Sequence, residues 1–388
     1  MIDRVTIYSG HLEPEKDWSW VLNIIRIDAG GCSGWGEVGT TYYKAAVGTP
    51  EVLRAIARFN LLGADPMANV PIWRNMVGLV DGCYHGGGVG FGAVAACDAA
   101  LWDLKGKLLG QPAHALLGGK TRSHLRAYAN GWCYRKDDPK EYAEAALRVK
   151  EDGFTAMKFD PFRYDDGEFK EHPAPGKSTT RKWMRIAADR VAAVRDAIGP
   201  DTDLILEAHG KFSPPIAIEI GRRFAEYDFL YYEEPIKSNN PDVMRRIADQ
   251  QPIPVASGER IVRIDELRSF AERQAFAMAQ PDLGVCGGLT AGKRMADLCE
   301  HYEIGFQPHN SAMGLNTAAA YQLCSTLPNF VIQETFPYRP DFWYDILRNP
   351  YEKRIENGYL PLPDSPGLDI EVDEDWLEKR LTKQEFRL

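Results

Sequence analysis

The chain of 388 residues has no C-x-x-C pair among its seven cysteines (32, 83, 97, 133, 286, 299 and 324), which form an odd, scattered set. That argues against a disulfide framework and a thiolate zinc site, and it fits a reducing cytoplasm. No apolar run reaches the roughly 18 residues that cross a bilayer, and "MIDRVTIYSG" lacks the basic and apolar regions of a secretory signal. A cytoplasmic chain with no membrane partner is expected. Long basic runs are missing too: 46 Lys+Arg stand against 55 Asp+Glu, a formal net charge of -9. The electrostatic drive toward nucleic acid is therefore absent, while small anionic substrates stay open if cations gather locally.

What is present is ordinary folded-protein composition, 44% hydrophobic and 26% charged. At roughly 100–200 residues per domain two domains are expected, one of which can be an α/β barrel of about 250. Up to about residue 60, "DRVTIYSG", "SWVLNIIRID" and "SGWGEV" alternate like antiparallel strands, and from about 51 to 120 segments such as "VAACDAALWDLKGKLLG" carry helical spacing. This reads as an α+β domain over 1–124, completed by about 360–388. Over 125–359 the texture changes to eight short apolar runs separated by helical stretches. They are "HLRAYAN", "FTAMKFD", "DLILEAH", "FLYYEEP", "IPVASGE", "FAMAQPD", "EIGFQPH" and "NFVIQE". Strand and helix alternating eight times is the pattern of a (β/α)8 barrel in the α/β class. The glycine run "GGGVGFG" at 86–92 imitates a dinucleotide loop but follows no strand, so it reads as a flexible loop feeding a tightly packed helix.

The last seven runs all end in polar or ionisable groups: Lys158 and Asp160; Glu207 and His209; Glu233 and Glu234; Glu259; Asp282; His309; Glu334. Parallel strands of a barrel end on one face, so these groups share one mouth. Twenty-six residues separate Glu207 from Glu233, and 26 again separate Glu233 from Glu259. That is one strand-plus-helix step each, which brings three carboxylates together. Like charges so close force protonation or a cation, and an all-oxygen set favours Mg2+ first and Mn2+ second. Alternation turns Glu234 away from Glu233.

Together "SGWGEV", "ALWDLKGKLLGQPAHALLGG", the three equally spaced glutamates, "QPD", "QPHN" and a terminal "QE" resemble the enolase superfamily, mandelate racemase subgroup, and within it the acid sugar dehydratases. The resemblance implies an α+β capping domain over a modified TIM barrel. It makes Glu207, Glu233 and Glu259 the Mg2+ ligands, although the first ligand in the subgroup is often aspartate. It implies a metal-stabilised enediolate formed when the proton α to a carboxylate leaves. It makes His309 the base, oriented by Asp282, and Glu334 a protonated donor to the substrate carboxylate, with a raised pKa. "AMKFD" departs from the racemase K-x-K pattern: Lys158 holds the first lysine position and Asp160 the second. Lys158 then polarises the substrate carboxylate, and His209, matching a histidine of galactonate-type dehydratases, protonates the leaving β-hydroxyl.

The resemblance gives specificity to capping loops. Here these carry Trp18, Trp20, Tyr42, Tyr43, Lys44, Tyr84 and His85, joined by Asp160 as candidate substrate contacts. The polar stretch near 161–183 reads as an insertion at the mouth. The expected activity is a hydro-lyase making a 2-keto-3-deoxy acid from an aldonate or aldarate, in a homo-oligomer, a state common in the family and often octameric there. A cycloisomerase or epimerase on the same scaffold is the alternative, followed by a sugar-acid binding protein without turnover.

Overall fold

The computed structural model describes residues 1–12, 20–39, 44–82, 87–134, 136–162, 179–237 and 240–388, with the side chains of 44 and 45 left out. Three strands open the chain: β1 (Arg4–Leu12), β2 (Trp20–Ala29) and β3 (Cys32–Glu37). β2 turns into β3 through Gly30 and Gly31 with φ of 58° and 78°, a left-handed pair that a two-residue hairpin requires and glycine adopts without strain. Eight short strands follow. They are β4 (His124–Ala129), β5 (Ala156–Phe159), β6 (Asp203–Glu207), β7 (Phe229–Glu233), β8 (Val255–Ser257), β9 (Met278–Ala279), β10 (Gly305–Phe306) and β11 (Gln333–Thr335). Each falls inside one of the eight apolar runs of the sequence, except that β11 extends one residue past "NFVIQE" to Thr335. Last come β12 (Tyr359–Pro361) and β13 (Thr382–Arg387).

β4 to β10 lie side by side in chain order, all parallel, with β11 against the far edge of β4. The ring closes between β10 and the approach to β11. Phe306 bridges Phe330, its N–H donates to Asn329 O at 2.9 Å, and its carbonyl accepts Val331 N–H at 3.2 Å. This is the α/β barrel, and β13-β1-β2-β3 is a separate antiparallel sheet. Cys32, Cys97, Cys286, Cys299 and Cys324 are free thiols, and no described helix is long and apolar enough to cross a membrane.

The helix Gly87–Leu109 joins the two units. It packs on β3 and also on the helix Gly288–His301, and Gly90 to Leu104 are all buried. An amphipathic stripe would suit a helix with one wet face; this one is apolar all round because protein covers it all round. The glycines from Gly87 onward form its first turns, so they are helix rather than the flexible loop read from "GGGVGFG".

Candidate active site

Strand alternation decides what enters the barrel. Tyr128, Ala156, Ile205, Tyr231, Ala256, Met278 and Ile332 form a small cluster of their own, apart from the large core between strands and helices that takes Met157, Leu204, Leu206 and Tyr232. Counting on by two from the inner set reaches Lys158 and Asp160, Glu207 and His209, Glu233, Gln280 and Asp282, and Glu334. One physical rule therefore carries all of them to the mouth.

Glu207 and Glu233 are register partners on adjacent strands, and both are buried. Lys158 Nζ lies among the carboxylates, 2.6 Å from Glu233, 2.8 Å from Glu334 and 3.3 Å from Glu207. Burial alone would lower the lysine pKa, but Glu233 and then Glu334 hold it well above the usual value, so the ammonium stays charged. Burial pushes Glu207 and Glu233 up, and for Glu233 the repulsion of Glu207 adds to it. Glu259 shifts the other way: burial works to raise its pKa, but His309 Nε2 at 3.5 Å and Arg260 at 2.9 Å hold it below the usual value. Among the described residues no group of three or more His, Cys, Asp or Glu side chains is arranged so that it could hold a metal ion as it stands. Glu234, one residue past β7 with a left-handed φ of 40°, is buried and takes a two-oxygen pair with Arg260, which also reaches Glu259.

His309 Nδ1 is 2.7 Å from Asp282 Oδ2. Burial opposes the imidazolium, yet Glu259, Glu334 and Asp282 push its pKa up to about 10. His209 forms a second such pair, its Nδ1 2.9 Å from Asp160 Oδ2 and its ring half exposed. Its backbone is left-handed, φ 49°, and its N–H donates to Glu207 Oε1 at 2.6 Å. β6 and β10 stand four strands apart in a ring of eight, so the two histidines are carried on opposite sides of the mouth.

Two expectations change. Glu334 is not a protonated donor. Burial works to raise its pKa, but Lys158 and His309, helped by the Asn310 N–H at 2.8 Å, bring it down to about 2. Asn130 Nδ2 adds a third donor at 2.8 Å, so the group is a carboxylate that only accepts. Asp160 is buried and already holds His209, Lys211 and the Phe162 N–H, which makes it a partner of His209 rather than an open substrate contact.

Trp20 packs edge-on against Trp343 at 4.7 Å and beneath Arg339. Trp18, Tyr42, Tyr43, Tyr84, His85, the Lys44 side chain and most of the 161–183 stretch lie outside the described residues. Sequence reasoning missed Lys211, two residues beyond His209, and the glutamines of "QPD" and "QPH". Gln280 donates to Glu233 and to Gln307, each at 2.8 Å, and Tyr231 donates to Gln307 at 2.6 Å. The repeated Gln-Pro pair was the available signal.

Comparison with known proteins matches residues 19–118 to the mandelate racemase / muconate lactonizing enzyme N-terminal domain and 141–376 to the enolase C-terminal domain-like family. The D-gluconate/D-galactonate dehydratase of Picrophilus torridus is 33% identical over 387 residues, covering 97% of this chain and 93% of that protein. The D-gluconate dehydratase of Thermoproteus tenax is 35% identical over 289 residues, 74% of this chain, which spans only 56% of that protein's length. A crystal structure of an enolase superfamily member from Salmonella Typhimurium superposes with a TM-score of 0.91 at 32% identity, covering 100% of this chain and 99% of that one.

Proposed function

The chain belongs to the mandelate racemase / muconate lactonizing enzyme family of the enolase superfamily, and from that premise we propose that it is a Mg2+-dependent acid sugar dehydratase. The observation that carries the reading is the pair of histidine–aspartate couples, His309 with Asp282 and His209 with Asp160, set across one mouth around a carboxylate cluster. Elimination of water from neighbouring carbons needs one group to take a proton and another to give one. The names of the relatives, dehydratases of D-gluconate and D-galactonate, point to the same chemistry.

Glu207, Glu233 and Glu259 would hold the cation. Their chemistry fits a hard divalent ion: oxygen donors only, on successive strand ends, with burial and mutual repulsion that a positive charge relieves. When bound, Mg2+ supplies Lewis-acid neutralisation of the substrate carboxylate, which acidifies the neighbouring C–H. Lys158 brings a fixed ammonium to the same carboxylate. His309, oriented by Asp282 and free of its own proton once a cation on Glu259 offsets the largest charge that raises its pKa, would take the proton from C2 through Nε2. His209, oriented through Nδ1 by Asp160, gives a proton to the leaving hydroxyl on C3. The C3–O bond breaks as the C2–C3 double bond forms, and the resulting enol gives up its C2 hydroxyl proton and takes one at C3 to become the 2-keto-3-deoxy acid. Glu334, a carboxylate, holds Lys158 and the Asn310 backbone in place and accepts hydrogen bonds from substrate hydroxyls.

The test is incubation with Mg2+ and a panel of aldonates and aldarates, with semicarbazide detection of keto acid and product mass. Loss of one water supports the reading. An isomer of unchanged mass would transfer the assignment to an epimerase or cycloisomerase.

A further inference from the structure

Asp282 carries more than His309. Its Oδ1 accepts the backbone N–H of Gly284 at 2.7 Å and Asn316 Nδ2 at 3.3 Å, while Oδ2 faces the imidazole. Both of those donors are gripped in turn by the N-terminal unit. Gly39 N–H donates to Gly284 O at 2.9 Å, and the two glycines lie so close that a Cβ on either would fall 2.7–2.9 Å from backbone or side-chain atoms across the junction. Glu37, at the end of β3, accepts the N–H of Met313 at 2.7 Å and of Asn316 at 3.2 Å. These N–H groups, at the start of the helix Gly314–Cys324, have no partner within the helix, and a side-chain oxygen acceptor is their natural cap. Asn316 also donates to Asn310 Oδ1 at 3.3 Å, next to His309 in the chain.

Two separate tethers thus run from the N-terminal unit to one carboxylate: Glu37 through Asn316, and Gly39 through Gly284. All five residues other than His309 are small or polar and lie within the interface, with Glu37, Asp282 and Asn316 no more than 4% exposed. Burying a glutamate at a domain junction is costly unless it is fully hydrogen-bonded, and simple adhesion would be served by apolar contacts. We infer that Glu37, Gly39 and Asn316 are positioning residues for the Asp282–His309 pair, so that docking of the N-terminal unit sets the orientation of the base. The inference rests on the dehydratase reading only for the role of His309.

The experiment is a double-mutant cycle on the full chain with Mg2+, using whichever aldonate of the panel it turns over and following exchange of the C2 proton in D2O. Asn316→Ala and Glu37→Gln are expected to lower kcat roughly 10–100-fold with KM little changed, as a small misplacement of a catalytic group does. In an Asp282→Asn background the same changes should cost little more, because they act through Asp282. Asn316→Ser, which keeps a donor, should recover part of the loss and serves if the alanine variant does not fold. Equal losses with and without Asp282, or a change in KM alone, would overturn the inference. Full turnover by His309→Asn would instead overturn the assignment of the base, leaving the coupling to Asp282 to be read from the cycle.

Discussion

His209 Nδ1 lies 2.9 Å from Asp160 Oδ2, in a mouth where the racemase-like pattern has a lysine in place of that aspartate. The carboxylate that removes one candidate base fixes the ring of another group. Asp160 is held ionised well below the usual carboxylate range: burial works against this, and Lys211 and His209 overcome it.

If His209 serves only the departure of the hydroxyl, His209→Asn should separate two halves of the reaction. Keto acid formation is expected to fall roughly 10²–10⁴-fold, the scale of general acid catalysis, while C2 proton exchange with D2O persists. His309→Asn should abolish both. Loss of exchange in His209→Asn would place that histidine on the first step.

Asp160→Asn keeps the shape of the site but gives His209 a neutral partner and leaves Lys211 without its counter-ion. Dehydration should fall by about tenfold or more because the His209 ring loses the carboxylate that orients it, and folding stability should drop by about 3–5 kcal/mol, the scale for breaking a buried charge pair. Equal rates of elimination in the variant and the parent would remove Asp160 from the mechanism.

Lys158 is the charge that stands between Glu207, Glu233 and Glu334. Lys158→Met should destabilise the protein in EDTA by about 3–5 kcal/mol, the scale for an uncompensated buried pair, and Mg2+ should restore more stability to the variant than to the parent. For the parent, a hundredfold excess of Mg2+ over its Kd adds about 2.7 kcal/mol. Thermal melts with and without Mg2+ check both statements, and a variant as stable as the parent in EDTA would contradict the first.

Burial pushes the Asp98 carboxyl from its ordinary 3.8 up to about 7, against hydrogen bonds from Thr290. Below the unfolded value both states hold the proton and Asp98 adds no pH dependence. Between about 4 and 7 the unfolded chain releases it while the folded chain keeps it, so stability falls as pH rises, by about 1.4 kcal/mol per unit of separation. Against Asp98→Asn, the urea midpoint of the parent should therefore drop with rising pH across that window and run parallel above it. A constant difference from pH 4 to 7 would show that Asp98 titrates normally.

The barrel and its mouth were legible in the sequence because both follow from short periodicities. Eight apolar runs sufficed for the strands, a period of two carried Lys158, Glu207, Glu233, Asp282 and Glu334 to one end, and the common direction of parallel strands brought His309 there with them. Ionisation was less legible. Glu334 looks like an isolated acid in "IQE", and only the packing reveals Lys158, Asn130 and the Asn310 N–H converging on it. Asp160 likewise reads as a missing lysine until Lys211 and His209 are seen beside it. Glu37 sits in "SGWGEV", 276 residues from the Met313 N–H it accepts, and no local pattern encodes such a distance.

β13 pairs along its whole length with β1, from Arg4 opposite Arg387 to Ser9 opposite Thr382. On the ribosome β1 emerges hundreds of residues before this partner, so its outer edge stays open while every barrel strand is made. The unit begun first is finished after the one it roofs. An unpaired edge of that kind invites association with other nascent chains, and the polar outer residues of β13 give the completed sheet a border poorly suited to further addition.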